Sequence, residues 1–228
     1  MKLFFKYLLG YLLSKYYNIS YSQDGEDVVL NSYYENKEDY KGFYVDVGAH
    51  HPFRFSNTQF FYNKGWKGIN IDATPNSMHL FKKFRKKDIN LEVGIGSKKD
   101  QMIFYCFDEP ALNSFSEDLS ISRENSTNYK IVEKIEVPIL RLETILDEYV
   151  KDGVDIDFLT IDVEGLDYEV LLSNNWIKYR PKFLLVEALD SEISKISQSE
   201  VYSFLIKKNY QLVAKTQRTL IFKLEDRY

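Results

Sequence analysis

The sequence predicts an α/β domain, a mostly parallel twisted sheet with helices on both faces and an antiparallel C-terminal hairpin. Three observations predict it. Short apolar runs alternate with stretches of helical period along most of the 228 residues, which is the pattern of βαβ units whose strands are covered on both faces. The last two apolar runs, YQLVAKTQ and RTLIFKL, follow one another without a helix between them and read as a hairpin. No repeat, low-complexity tract or Pro/Gly/Ser linker breaks the order, and the length suits one domain with a substantial core.

The elements follow in sequence. GFYVDVG (42–48) is a buried strand, and a helix runs from near Asn57 to before Gly65. KGINIDA (67–73) is the second strand. Thr74-Pro75 then has the form of an N-cap followed by a first-turn proline, and Met78, Phe81 and Phe84 give that helix its buried stripe. INLEVGIG (89–96) is the third strand. QMIFYCF (101–107) and EKIEVPIL (133–140) flank a polar stretch at about 108–130, long for a loop and read as a lid or substrate loop. Leu142, Ile145, Leu146 and Tyr149 share one helical face. IDFLTIDVEG (156–165) is a strand, LDYEVLLSN a short helix and KFLLVEAL (182–189) a strand. SEVYSFLIKKN is a helix with Val201, Phe204 and Leu205 inward.

Composition narrows the function classes. A net charge of −4 gives no electrostatic case for nucleic acid, and the lysines of FKKFRKKD (81–88) read as the wet face of a helix. A single cysteine, Cys106, excludes a disulfide framework and a cysteine-based zinc site and fits a reducing, cytoplasmic setting. Residues 1–20 read as an amphipathic helix ahead of the main domain at 21–228: Leu8, Leu12 and Tyr16 lie on one face, and the uninterrupted apolar run is too short to span a bilayer. That helix packs on its own domain or a second subunit, or rests on a membrane surface.

The acids stand where ligands bind in such sheets. Asp46, Asp72, Asp162 with Glu164 beyond it, and Glu187 all lie at the carboxyl ends of predicted strands, beside the crevice that open α/β sheets use. A lone buried carboxylate is costly, and one Asp so placed is explained by helix capping. Four together point to one shared crevice. Asp72 can accept from a ribose diol, and Gly48 permits close approach of backbone to a ligand. The residues after Gly48 are Ala49, His50, His51 and Pro52, so there is no G-x-G-x-x-G and no P-loop. A nucleoside without phosphates fits best, and S-adenosylmethionine is the usual one.

YSQDGEDVVL (21–30), FYVDVGAHHPFRFSNT (43–58), GINIDATPNS (68–77), LTIDVEGLDYEVL (159–171) and LLVEAL resemble, in order, the pieces of the FkbM family within the class I S-adenosylmethionine-dependent methyltransferases. The resemblance spans roughly residues 20–190 and departs from the broader class at His50, where a second loop glycine is common. It implies a Rossmann-like fold, with Asp46 and Gly48 lining the methionine and ribose side, Asp72 holding the ribose hydroxyls and Gly94 and Ile95 flanking adenine. Asp162 would stand by the cofactor's amino group and the transferring methyl. Gln23, Glu26 and Asp27 would belong to a segment that folds over the cofactor mouth. Ser56, Asn57 and Thr58 would cap the first helix or donate to the cofactor carboxylate.

The family implies O-methylation, often of a sugar hydroxyl on a natural product or surface glycan. An alcohol acceptor needs a base, and His50, His51, Asp162, Glu164 and Glu187 are the candidates. Magnesium is left open; if the reaction is metal-dependent, Asp162 and Glu164 are the ligands. Two other classes stand beside this one. A non-catalytic nucleoside-binding or assembly module would use the N-terminal helix to dock, but would not need acids at four strand ends. A metal-dependent hydrolase would use the same acids, but His50, His51 and His79 form no recognisable ligand motif.

Overall fold

The computed structural model describes residues 18–36, 39–188 and 192–225. Most of the expected N-terminal helix lies outside the described residues. After a short helix α1 (Glu26–Asn31) the chain enters β1 (Phe43–Val47), every residue of which is buried. Then come α2 (Gln59–Asn63), β2 (Lys67–Asp72), α3 (Met78–Phe84), β3 (Ile89–Glu92) and β4 (Gly94–Ile95). The middle of the chain holds β5 (Asp100–Phe107), α4 (Glu117–Ser126), β6 (Ile131–Leu140), α5 (Leu142–Tyr149), β7 (Phe158–Ile161) and α6 (Asp167–Leu172). The chain closes through β8 (Phe183–Glu187), α7 (Glu200–Lys207), β9 (Tyr210–Lys215) and β10 (Thr219–Leu224).

The main sheet has seven strands in the order β3-β2-β1-β7-β8-β10-β9. The pairs β3–β2, β2–β1, β1–β7 and β7–β8 are parallel, and β10 is antiparallel to both its neighbours. The predicted hairpin forms, with β10 inserted between β8 and β9. Strand order reverses between β1 and β7, where Val47 lies opposite Ile161. This switch point is where a crevice opens in such sheets. Apolar side chains of β1, β2, β7 and β8 pack with α5, α6 and α7 into the largest core cluster.

The structure departs from the predicted elements in four places. The third strand splits: Ile89–Glu92 stays in the main sheet, while Gly94–Ile95 joins β5 and β6 in a second, three-stranded sheet. Gly94 makes the transfer because a Cβ there would lie 2.5 Å from Ile139 and 2.7 Å from Phe115. Helix α3 starts at Met78 rather than after Thr74, since Asn76 is left-handed (φ 63°) and the Thr74 amide is turned onto Asp72. Phe84 is exposed, and Arg85 takes the buried place at the helix end. Finally, the polar stretch is structured. A 3₁₀ turn (Pro110–Leu112) precedes α4, whose first turn is capped by Ser116 Oγ accepting from the Leu119 amide. Acids in that first turn also favour a helix start, but its faces carry no apolar stripe that periodicity detects.

Candidate functional site

A cavity of about 300 Å³ lies beyond the carboxyl ends of β1, β2, β7 and β8, at the low end of the range for small-molecule sites. One wall is apolar, built from Ile71, Val93, Ile95, Phe104, Leu112 and Phe115. Asp72 and His50 form one polar edge, and Asp162, Glu164 and Glu187 form another beside Arg123 and Arg218. Arg218 arrives there because Thr219, the first residue of β10, lies opposite Glu187, the last of β8. The 3₁₀ turn and Asn113 roof the cavity, with Asn113 donating to Thr74 Oγ1 (3.1 Å).

Asp72 is fixed by two backbone amides. Its Oδ2 accepts from His50 N and its Oδ1 from Thr74 N, each at 2.7 Å. Each carboxylate oxygen keeps accepting capacity, so Asp72 can still receive the two hydroxyls of a diol. His50 holds a left-handed backbone (φ 51°), and its buried Nε2 has no hydrogen-bond partner. Burial, opposed by the nearby Asp72 charge, lowers its pKa and keeps the ring neutral at pH 7. Gly48 is required by neighbouring backbone rather than by a ligand. With φ at 88°, a Cβ would lie 1.7 Å from the Asp162 carbonyl oxygen.

The predicted site residues divide between wall and interior. Gln23, Gly48, His50, Asp72, Gly94, Ile95, Asp162 and Glu164 line the cavity. Asp46, His51, Ser56, Asn57 and Thr58 lie outside its wall. His51 Nδ1 accepts from the amides of Phe53 and Arg54, both at 3.1 Å. Ser56 Oγ takes the Gln59 amide, and Asn57 donates to Thr160. Thr58 Oγ1 donates to Asp46 Oδ2 (3.0 Å) and accepts from Arg85 Nη2 (2.7 Å). Glu26 and Asp27 hold their own segment: Glu26 accepts from Thr216 Oγ1 and the Asp24 amide, and Asp27 from Ser20, Ser22 and the Tyr21 amide.

Arg85 is the residue that the sequence reading missed. It is fully buried and donates to Asp88 Oδ2, Pro52 O, Gln59 Oε1, Tyr44 Oη and Thr58 Oγ1. Asp88 in turn accepts from Tyr44 Oη, the Gly68 amide and Asn70 Nδ2. Asp46 lies at the near end of this network. Burial pushes its carboxyl up to about 7, against the opposing pull of Thr58 and Arg85. Nothing in a lysine-rich helix end distinguishes Arg85 from its neighbours except the i, i+3 spacing to Asp88.

The acidic edge behaves differently. Asp162, Glu164 and Glu187 bring one oxygen each within 4.8 Å of one another. Burial first, and repulsion from a neighbouring carboxylate second (Glu164 on Asp162, Asp162 on Glu187), raise Asp162 and Glu187 well above the usual carboxylate range. Two carboxyl groups so placed hold one proton between them. Glu164 is left-handed (φ 56°) and ion-paired with Arg123. Asp167, pushed up to about 6 by burial, accepts from the Val163 and Gly165 amides and braces the loop. Among the described residues this is the one cluster of metal-ligand type. Arg123 is already paired with Glu164, and the three carboxylate oxygens stand close enough together that they could hold a divalent cation.

The fold and cavity define the class, an open α/β domain with a nucleoside-sized site at its switch point. The model of the methyltransferase FkbM domain matches residues 46–212. The chain therefore belongs to the FkbM methyltransferase family. Among solved structures it is similar to a methyltransferase FkbM from Methylobacillus flagellatus KT, at 13% identity and a TM-score of 0.49. The match covers 80% of this chain and 43% of that one, so this chain spans less than half of that protein. It is also similar to a precorrin-6y C5,15-methyltransferase from Geobacter metallireducens GS-15, at 12% identity and a TM-score of 0.44, over 88% and 87% of the two chains. No curated protein matches the sequence.

Proposed function

We propose that the protein is an S-adenosylmethionine-dependent O-methyltransferase whose acceptor is a sugar hydroxyl on a nucleotide-linked sugar or a surface-glycan precursor. The observation that carries the cofactor is the pairing of opposite edges in one cavity. Asp72 keeps accepting capacity for a diol, an apolar wall suits a base, and three carboxyl groups face the other end. Family membership supports methyl transfer, and the resemblance supports the sugar acceptor. When bound, the cofactor supplies a methyl on a cationic sulfur; transfer makes a C–O bond, leaves the C–S electron pair on sulfur and frees the hydroxyl proton.

The chain's own residues then have distinct tasks. Asp72 orients the ribose, and Phe104, Phe115 and the 3₁₀ turn exclude water from the apolar side. The acidic edge attracts the cofactor's cationic groups and holds the base. Of the candidate bases, His51 is occupied by two amides outside the cavity wall. Asp162 and its partner Glu187 stand in the wall, where an oxygen of the pair can take the hydroxyl proton. Calorimetric titration with S-adenosylmethionine and S-adenosylhomocysteine, with and without Mg²⁺, tests the reading. Micromolar binding independent of Mg²⁺ is expected. Absence of binding under every condition would sink the cofactor assignment and favour an assembly module.

A further inference from the structure

The end of helix α3 carries an aromatic and basic surface that the cavity chemistry does not use. Phe84, the last residue of the helix, is 43% exposed, and Phe53, from the loop after β1, is 40% exposed. Their rings meet edge to face with centroids 5.1 Å apart. One buried side chain holds both. Arg85, next to Phe84, donates to the carbonyl of Pro52, next to Phe53 (3.2 Å). The exposed pair therefore stands on two elements tied together from within. Lys82, Lys83, Lys86 and Lys87 flank Phe84 in the chain and are all exposed, and none has an ion-pair partner among the described residues. Lys83 Nζ lies 5.2 Å from the centre of the Phe84 ring. Asp88 is the only acid between Ala73 and Leu91, and it is buried and occupied by Arg85. Unmatched positive charge thus gathers at one place on a chain of net charge −4. The aromatic surface runs on toward the cavity. The His51 ring lies 5.9 Å from that of Phe53, and exposed Phe55 forms part of the cavity wall.

We propose that this surface docks the protein on an anionic lipid bilayer, with Phe53 and Phe84 entering the interface and the lysines meeting the headgroups. Charge selects a negative partner, and the kind of charge narrows it. Lysine is a flexible, strongly hydrated point charge, unlike the planar fork with which arginine grips one phosphate or carboxylate. The arginine exposed at this surface, Arg54, is already paired with Glu109 at 2.9 Å. A cluster of lysines fits a diffuse field of headgroups better than a single bound anion. The aromatics separate a bilayer from a water-soluble polyanion. Phenylalanine has no hydrogen bond to give a sugar or a base edge. Two rings inclined at 66° do not make the parallel platform on which successive bases stack. Entering the acyl boundary, by contrast, takes their apolar surface out of water. Phe55 sets the contact at the cavity rim, which suits an acceptor carried on a lipid. That consequence rests on the O-methyltransferase reading; the docking does not.

Co-sedimentation of the full chain with vesicles tests the docking, with no cofactor or acceptor present. Vesicles of phosphatidylcholine mixed equally with phosphatidylglycerol should bind the chain, and phosphatidylcholine alone should not. Added salt should weaken the binding. Replacing the lysines together (K82Q, K83Q, K86Q, K87Q) should lower the affinity by about a hundredfold or more, at about fivefold per charge. Phe53→Ser combined with Phe84→Ser should lower it about tenfold. All six positions are exposed, so both variants should melt within a few degrees of the parent. Phe84→Trp gives a direct readout. Trp66 and Trp176 are buried, so a blue shift on adding anionic vesicles, absent in the parent, reports entry of the new ring into the interface. A parent chain that stays in solution with anionic vesicles overturns the proposal. So does vesicle binding that survives in the lysine variant, or a Phe84→Trp chain that binds without a blue shift. Binding to heparin or single-stranded DNA with none to anionic vesicles also overturns it, in favour of a soluble polyanion.

Discussion

Two groups of carboxyl side chains are held in and beside the main sheet, and they live under opposite rules. Asp46 and Asp88 belong to the network around Arg85, where Asp88 accepts from Arg85, Tyr44, Asn70 and the Gly68 amide. Asp162 and Glu187 face the cavity and, with Glu164, one another. Burial is common to both groups, so burial alone does not mark a site. The partners separate them. An acid whose lone pairs are met by fixed donors is architecture, and one that must share a proton with another acid is poised for chemistry.

The largest effect should come from breaking the satisfied network. Arg85→Ala leaves Asp88 buried without its cation and frees Pro52 O, Gln59 and Thr58 from their common donor. Removing one partner of a buried ion pair costs about 3–5 kcal/mol, a large part of a typical domain's stability. Urea denaturation should show that loss, and a loss below about 1 kcal/mol would mean the network is not holding the loop over residues 50–58. Asp72→Ala should be milder for folding but harsher for binding. Losing charge-assisted hydrogen bonds of about 1.5–3 kcal/mol should weaken S-adenosylhomocysteine by about 10- to 100-fold. An Asp72→Ala chain that binds as tightly as the parent would remove the ribose assignment.

This division explains how far the sequence could be read. The alternation of apolar runs revealed β1, β2, β7, β8 and the terminal hairpin, because a strand buried on both faces leaves a continuous apolar signature. The acids at the strand ends were visible as residues, and Asp72, Asp162 and Glu187 do meet in one cavity. Partners were not visible. Whether Thr58 faces a ligand or Asp46 depends on Arg85, which arrives from a different βα unit and looks in sequence like one more cation on a wet helix. The break at Gly94 was hidden for a similar reason, since Phe115 and Ile139, which demand the glycine, are distant in the chain. Helix α4 was hidden because its stability comes from caps and polar contacts rather than an apolar stripe.

A smaller effect, with a definite sign, follows from the shared proton. Folded Glu187 keeps its proton well past the pH at which an unfolded glutamate, near 4.3, has lost it. Over that interval the native state binds more protons, so stability falls as pH rises. Asp46 and Asp167 add slopes of the same sign, but theirs end near about 7 and about 6. Between about pH 7.5 and 9 the Asp162–Glu187 pair contributes alongside Glu164 and, at the upper end, Cys106, both of which burial also pushes up. Glu187→Gln keeps the shape and cannot ionise, so its denaturation midpoint should decline less over that window than the parent's. Parallel declines would show that the pair is ionised in the folded protein and would erase the contrast with the Arg85 network.

The smallest effect should lie at the mouth of the cavity, where Arg54 and Glu109 make a two-pronged bridge at 2.9 and 3.1 Å between the loop after β1 and the start of the roof. Both side chains reach solvent, with Arg54 46% exposed, so the bridge contributes at most about 1 kcal/mol to stability. Its position matters more than its strength. Glu109 also accepts from the Ala111 amide inside the 3₁₀ turn, and it therefore ties the roof to the loop that carries His50. Arg54→Ala should leave the melting temperature within a few degrees of the parent and speed release of S-adenosylhomocysteine about two- to threefold, read by stopped flow, in line with an exposed pair of this strength. Salt separates a latch from simple packing. Added salt screens exposed charges, so release from the parent should quicken with ionic strength while the variant stays flat. A parent and variant with the same salt dependence would leave the roof held by its other contacts, among them Asn113 on Thr74, Arg123 on Leu112 O and Ser114 on Glu164 O.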